Sequence, residues 1–196
     1  MGIRYALIYD DTFTVNKERV IDICELLVKE KTGLFWDIRA RVDTVNEKML
    51  RLLKKAGCTG IHYGVESGSE RVMDVLDKRI SLNLVENVFM QTRRAGLKTL
   101  AYFMIGCPGE TIEEIETTFR VARALRPDYL HMTVLTPFPG TAIYRMALEK
   151  GIIKTDVWRE FAKNPSADFV PPVWGEKFSP CCHICADRGR LRLALI

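Results

Sequence analysis

Residues 97–115 read LKTLAYFMIGCPGETIEEI, and the order of apolar run, turn and helix start in this stretch decides the fold class. Residues 97–105 form a nearly continuous apolar run of strand length, which predicts a strand covered on both faces. Thr111 and Glu114 have the spacing of a capping box, so a helix is expected to begin here and to extend to about residue 125. The stretch is therefore a strand–turn–helix unit.

The same unit recurs along the chain. Further strands are predicted at residues 3–9, 34–41, 58–65 and 129–135, and helices at 16–31, 44–56, 67–77, 82–95 and 142–150. Strict alternation of strand and helix predicts a parallel sheet with right-handed crossovers. No G-x-G-x-x-G motif follows the first strand, and 196 residues are too few for an eight-unit barrel of about 250 residues. We therefore predict an α/β fold built as a partial TIM-like barrel.

The composition restricts the class of protein. Hydrophobic residues make up 47% and charged residues 28% of the chain, which is the balance of a soluble globular protein. No apolar run is long enough to span a bilayer, and the apolar N-terminal stretch is short and ends in two aspartates. A cytoplasmic protein without a membrane span is therefore expected. The net charge of +4 is spread along the chain, so nucleic-acid binding is not expected.

Polar residues and turn formers follow every predicted strand at its carboxyl end. Asp10 and Asp11 follow the first strand, Arg41 follows the second, and residues 66–69 and 106–111 follow the next two. The carboxyl ends of parallel strands form the ligand-binding edge of such folds, which predicts a site there. Turns and helix caps use the same residue types, so each segment taken alone also has this simpler interpretation.

Five segments together resemble the radical S-adenosylmethionine superfamily. They read DDTFTVNKERV at residues 10–20, WDIRARVD at 36–43, GVESGSE at 64–70, AYFMIGCPGETIEE at 101–114 and TPFPGTAIY at 136–144. The resemblance extends from about residue 3 to residue 179. It points to the branch with an N-terminal cobalamin-binding domain, which includes proteins similar to the anaerobic Mg-protoporphyrin ester cyclase and many methyltransferases.

The resemblance implies a partial (β/α)6 barrel with five of the six βα units present. The family carries a Cys-x3-Cys-x2-Cys loop after its first strand, and these thiolates bind three irons of a [4Fe–4S] cluster. This sequence contains no such loop, so the first strand, its loop and any cobalamin domain are expected upstream of Met1. Residues 1–155 are then expected to form the partial barrel, and residues 156–196 a C-terminal loop and tail.

The resemblance also implies cofactors and partners of the full-length protein. These are S-adenosylmethionine and a [4Fe–4S] cluster, with cobalamin as a further candidate. The implied reaction is radical modification or methylation of a small-molecule substrate, with an electron donor of the flavodoxin or ferredoxin type. The cluster ligands would lie upstream, so this chain alone is expected to be inactive.

Several positions of this sequence match cofactor-binding positions of the family. Asp10 and Asp11 match the place where the methionyl amino group is bound, and Arg41 matches a strand end that faces the ligand. Glu66, with Ser67 beside it, matches the position that contacts the ribose hydroxyls.

Three more residues complete the predicted cofactor site. Lys78 is expected to pair with the methionyl carboxylate, and Ile105 and Gly106 match the strand motif that packs on adenine. The simpler interpretation of Glu66 is a charge at a helix N-terminus, and that of Lys78 is a solvated surface lysine. No metal ligand is predicted in this chain.

Two other functions stay open on the sequence alone. One is a cluster-less, non-catalytic barrel that binds a nucleoside or a partner chain. The other is a metal-dependent hydrolase or lyase that uses Asp10, Asp11, Asp43 and Glu66, because carboxylates bind hard cations.

The cysteines and histidines carry weaker signals. Cys181 and Cys185 flank His183, which is half of a zinc motif, and these residues follow the last predicted strand. A frameshift after residue 180 is one hypothesis for this unusual tail. Cys107 is interpreted as a loop cysteine, and His62, like the histidine at position 131, as packing in the core or the barrel lumen.

Overall fold

The computed structural model describes residues 2–174 of the 196-residue chain. Its sheet is parallel, and the strand order β1-β2-β3-β4-β5 follows the chain. The strands are β1 (Tyr5–Ile8), β2 (Phe35–Ala40), β3 (Cys58–Glu66), β4 (Lys98–Ile105) and β5 (Tyr129–Val134). Helices connect successive strands and the sheet curls into a half-barrel, so the predicted α/β partial barrel is confirmed.

Side-chain caps define where the helices begin. Within residues 2–174 the helices are α1 (Lys17–Lys29), α2 (Glu47–Lys55), α3 (Glu70–Val75), α4 (Leu82–Arg94), α5 (Ile112–Leu125), α6 (Ala142–Glu149) and α7 (Val157–Lys163). Thr111 and Glu114 form the predicted capping box at the start of α5. None of these helices is long and apolar enough to cross a bilayer.

Two predicted helix starts are wrong by a few residues. Thr44 lies in a short 3-10 turn, and Asn46 caps α2 instead by accepting a hydrogen bond from the backbone of the third residue on. Ser67 is buried and its hydroxyl accepts from the backbone N–H of Ser69, so Ser69 becomes the cap of α3. In both cases a hydroxyl that could cap the helix is used by the preceding turn.

The two faces of the sheet differ in burial. On the outward face Trp36, Ile38, Tyr63 and Phe103 are fully buried in one hydrophobic core with residues of the surrounding helices. Alternate residues of the same strands point into the lumen and are only half-buried. Because side chains alternate along a strand, the lumen face is available for ligands while the outward face stabilises the fold.

A second, smaller core lies beyond β5. It contains Leu135, Tyr144 and Trp174, and the backbone N–H of Trp174 donates to the Leu135 carbonyl at 3.1 Å. Helix α7 was not predicted, because its seven residues are too few for apolar periodicity to identify a helix; Val157 and Trp158 pack against this second core. Helix α7 and Trp174 both lie beyond residue 155, and the predicted division at that point stays a prediction.

Candidate functional site

A cavity of about 400 Å³ lies at the carboxyl ends of the strands and extends into the lumen. Its volume is within the range of ligand pockets, about 300–1,000 Å³. Four of the predicted cofactor-binding residues line it, namely Asp11, Arg41, Glu66 and Lys78. The loop after β1, strands β2 to β5 and the segment after α3 therefore contribute to one site.

Glu66 and Lys78 form an ion pair on the wall of this cavity. Lys78 Nζ donates to Glu66 Oε1 at 2.7 Å. The Lys78 side chain is only 16% exposed and the Glu66 side chain only 19%. A bulge between Gly64 and Glu66 interrupts the pairing of β3, and Glu66 has a left-handed φ of 73°. A Cβ on Gly64 would lie 2.5 Å from Glu66 Oε1, so the pair in its present position leaves no room for a side chain at position 64.

Arg41 is held in place by Asp43. Its Nε and Nη2 donate to the two carboxylate oxygens at 3.0 and 2.8 Å, and Nη2 also reaches the Lys78 carbonyl at 3.3 Å. This bidentate contact lowers the pKa of Asp43 and raises the pKa of Arg41. The Arg41 guanidinium thus has a fixed position beside Lys78.

The two adjacent aspartates after β1 have different surroundings. Asp10 Oδ2 accepts from Arg19 Nη2 at 2.6 Å, and it does not line the lumen cavity. Asp11 lines that cavity and forms no ion pair with another residue of the described range. Asp11 is therefore the aspartate with a carboxylate available to a ligand.

Three other predicted residues do not line the cavity. The buried Ser67 hydroxyl lies 3.1 Å from Thr118 Oγ1, and Ile105 belongs to the main hydrophobic core. Gly106 has a φ of 77°, and its N–H donates to Glu110 Oε2 at 2.6 Å. The contacts of Ser67, Ile105 and Gly106 with the cofactor stay predictions.

Glu110 organises the turn after β4, a role that the sequence analysis missed. Its side chain is 2% exposed, and Oε2 accepts from the backbone N–H groups of Gly106 and Cys107 at 2.6 and 3.0 Å. Burial raises the pKa of Glu110 and raises that of Cys107 to about 12, so the thiol is neutral near pH 7. The available signal was a glutamate directly after a Gly-Cys-Pro-Gly turn.

The lumen face carries a second group of polar side chains that was not assigned to the site. Arg39, His62 and Tyr102 line the cavity, and the Tyr102 ring lies 6.1 Å from the His62 ring and 5.2 Å from the His131 ring. His62 Nε2 lies 3.5 Å from Asp37 Oδ2. Strand alternation was the available signal, because Asp37 and Arg39 are two residues apart on β2.

The described residues do not form a metal centre. Between residues 2 and 174 no group of three or more His, Cys, Asp or Glu side chains could hold an ion. Asp10, Asp43 and Glu66 each bond an arginine or a lysine instead. This arrangement does not support the metal-dependent hydrolase alternative, while the predicted tail motif around His183 lies outside the described residues.

Comparison with known proteins identifies the protein family to which this fold and its charged cavity belong. Residues 1–122 match the Radical SAM superfamily, and the chain belongs to that family. The predicted resemblance is therefore confirmed, and the non-catalytic binding module is not favoured.

Relatives from the predicted branch are among the similar proteins. The chain is 36% identical over 160 residues to an uncharacterized methyltransferase of Pyrococcus horikoshii, covering 82% of this chain and 35% of the relative. It is 28% identical over 145 residues to the anaerobic magnesium-protoporphyrin IX monomethyl ester cyclase of Rubrivivax gelatinosus, covering 73% and 26%. The chain thus spans about a third or less of the length of these relatives.

A solved structure confirms the fold assignment. The radical S-adenosylmethionine methyltransferase TsrM from Kitasatospora setae, bound to cobalamin and a [4Fe–4S] cluster, superposes with a TM-score of 0.70 at 19% identity. The alignment covers 78% of this chain and 30% of TsrM. At this identity the similarity concerns the fold alone.

The cofactors that the family implies differ in how well they fit the described residues. The methionyl group of S-adenosylmethionine carries an ammonium and a carboxylate, and the cavity offers the Asp11 carboxylate and the Lys78 ammonium. The [4Fe–4S] cluster needs clustered thiolates, whereas Cys24, Cys58 and Cys107 are separate buried thiols. Residues 2–174 therefore fit S-adenosylmethionine but do not supply the ligands of the cluster.

Proposed function

We propose that the lumen cavity binds S-adenosylmethionine and that the chain is the cofactor-binding part of a radical enzyme core acting on a small molecule. The observation that carries this proposal is the half-buried Glu66–Lys78 pair above Gly64, in one cavity with Asp11 and Arg41. Ion pairs in such partly dry sites provide strong, directional partners for a charged ligand.

Each charged residue has a distinct role in this proposal. The Asp11 carboxylate binds the methionyl ammonium, and Lys78 binds the methionyl carboxylate. Glu66 accepts hydrogen bonds from the ribose hydroxyls while it holds Lys78 in position. Arg41, fixed by Asp43, supports the segment that carries Lys78 through its bond to the Lys78 carbonyl.

The chemistry of the reaction comes from the cofactor, and this chain orients and shields it. When bound, S-adenosylmethionine supplies radical or methyl-transfer chemistry. The buried outward faces of the strands keep the carboxyl-terminal rim rigid, so the charged groups are positioned before the ligand arrives. The inward-facing Tyr102 and Met104 line the cavity with apolar surface that excludes water from the ligand.

Other parts of the proposed system lie outside the described residues. The [4Fe–4S] ligands, an electron donor of the flavodoxin or ferredoxin type and a cytoplasmic location are part of the proposal for the full-length protein. Cobalamin is an additional proposed cofactor, and the similarity to cobalamin-bound TsrM supports it. The first strand of the barrel, expected upstream of β1, is proposed to carry the cluster loop.

Titration calorimetry with S-adenosylhomocysteine tests the cofactor site on the full 196-residue chain. The Glu66→Gln substitution removes the carboxylate charge that positions Lys78 and should weaken binding about tenfold. Asp77→Asn is the matched control, because Asp77 forms a neighbouring but largely exposed pair with Arg79, and this substitution should leave the affinity unchanged. A folded chain that does not bind S-adenosylhomocysteine, or equal effects of both substitutions, would overturn the proposal.

A further inference from the structure

The lumen contains an arginine that forms no ion pair with a carboxylate of residues 2–174, although Asp11 lines the same cavity. Arg39 lines the cavity, and its guanidinium lies over the ring of Tyr9 at 4.0 Å from the centroid. Among residues 2–174 no acidic side chain forms an ion pair with it, and its buried Nε has no hydrogen-bond partner. The two cations at the rim, unlike Arg39, are paired with carboxylates. Arg41 forms an ion pair with Asp43, and Lys78 forms one with Glu66.

His62 lies beside Arg39 on the neighbouring strand. The two residues are partners in the register of β2 and β3, and both line the cavity. The buried His62 Nδ1 has no hydrogen-bond partner in the described chain, while Nε2 faces Asp37 Oδ2 at 3.5 Å.

The surroundings of His62 make its protonation responsive to a bound anion. Burial lowers the pKa of His62, the Asp37 carboxylate raises it, and the Arg39 charge lowers it. Tyr102 faces His62 from β4 at 6.1 Å between ring centroids. An anion bound at Arg39 would screen that charge and favour the imidazolium form of His62.

We propose that Arg39 and His62 form an oxyanion subsite in the lumen that binds a carboxylate or phosphate group of the substrate. The subsite lies deeper in the lumen than the rim. Arg39 precedes Arg41 by two residues, which is about 7 Å along a strand, and both residues belong to the same face of the sheet. It rests on the proposed function, in which Lys78 at the rim binds the cofactor carboxylate. The substrate class is thus a small molecule with an anionic group.

The probe is inorganic phosphate, and the readout is the titration of His62 in the 15N-histidine-labelled full chain by NMR. The chain has three histidines, and His62→Gln identifies the signal. Saturating phosphate should raise the pKa of His62, and Arg39→Gln should weaken phosphate binding at least about fivefold. Arg39→Lys keeps a cation and should retain part of the phosphate-dependent rise in the pKa of His62. Arg79→Gln is the exposed control and should behave as the unmodified chain.

The outcomes separate the subsite from the cofactor site. Phosphate that leaves His62 unaffected, or affects it equally in folded Arg39→Gln protein, overturns the subsite. If S-adenosylhomocysteine competes with phosphate and methylthioadenosine does not, then Arg39 binds the cofactor carboxylate. That result would also overturn the subsite. Loss of the phosphate effect in Arg39→Gln with unchanged S-adenosylhomocysteine affinity supports it. A phosphate effect in a chain that does not bind S-adenosylhomocysteine would refute the proposed function and leave the anion subsite standing.

Discussion

Glu66 and Lys78 lie 12 residues apart in the sequence, and Lys78 Nζ donates to Glu66 Oε1 at 2.7 Å. The two charged groups lie over Gly64, which has no Cβ. The bulge in β3 and the left-handed conformation of Glu66 bring the carboxylate to this position. A strained backbone at the edge of a cavity is typical of functional sites, because the surrounding structure must compensate for the strain. The pair therefore links the local geometry of one strand to the charge pattern of the proposed cofactor site.

The Gly64→Ala substitution tests this link. A Cβ at position 64 would lie 2.5 Å from Glu66 Oε1 and 3.1 Å from Lys78 Nζ, so the paired side chains must shift. Both atoms end flexible side chains, so we expect little loss of stability but about tenfold weaker S-adenosylhomocysteine binding. Gly33→Ala is the control, because its Cβ meets open space but its φ is 64°. It should lower the melting temperature and leave affinity intact; the reverse pattern would contradict the prediction.

Glu110 should stabilise the turn between β4 and α5. The Glu110→Ala substitution removes the acceptor of two backbone N–H groups in a buried site and should cost about 2–4 kcal/mol. Glu116→Ala, at an exposed position of α5, is the control and should change stability by less than about 0.5 kcal/mol. Urea denaturation of the two variants measures the difference. Equal stability of the two proteins would contradict a structural role for Glu110.

Glu114 should make stability depend on pH in the acid range. The Arg71 guanidinium, with help from Thr111 and Ser69, lowers the pKa of Glu114 to about 2. Since the folded-state pKa lies below the ordinary value of 4.5, the stabilisation is present above pH 4.5 and is lost as the pH falls toward 2. Glu114→Gln should therefore lower the melting temperature by about 2–4 °C at pH 7.

The difference between Glu114→Gln and the unmodified chain should shrink on acidification. Thermal melts at pH 7, 4 and 3 measure it, and Glu116→Gln serves as the exposed control on the same helix. A difference that stays constant between pH 7 and pH 3 would show that the charge of Glu114 is not involved.

Trp174 tests whether the segment beyond residue 155 is part of the same folded unit. Its side chain is 2% exposed, and it packs with Leu135 and Tyr144. Trp174→Ala should cost about 3–5 kcal/mol, whereas Val170→Ala, at a position that is 78% exposed, should be neutral. A single, less stable unfolding transition in Trp174→Ala supports one unit. An unchanged melting curve would support the predicted division at residue 155.

The edge of β1 should cause association of the isolated chain. Strand β1 pairs only with β2 among the described strands, and Ile3, Tyr5 and Tyr9 beside this edge are 68%, 54% and 71% exposed. We expect concentration-dependent oligomers in size-exclusion chromatography and a shift toward monomer in Ile3→Lys. A clean monomer at all concentrations, with cooperative unfolding, would contradict this prediction.

The order and type of the elements could be predicted from the sequence, and four of the eight predicted cofactor-binding residues line the cavity. Apolar runs and capping spacings are local signals, which is why the five strands and the capping box at Thr111 agree with the structure. Helix α7 was missed because seven residues are too few to show a helical period, and the cap of α2 was misplaced because the Thr44 hydroxyl is used by the preceding turn. The exact helix bounds and caps depend on contacts between residues that a short stretch of sequence does not contain.

By itself the sequence determined the alternation of strands and helices, the family, and the presence of charged residues at the carboxyl ends of the strands. The tertiary structure decided which of these charges meet. It paired Asp10 with Arg19 away from the lumen, turned Glu66 toward Lys78, and left Arg39, beside His62, without an ion pair. The physical reason is that strand register, a bulge and one missing Cβ set side-chain positions to within an ångström, and electrostatic pairing depends on distances of that size.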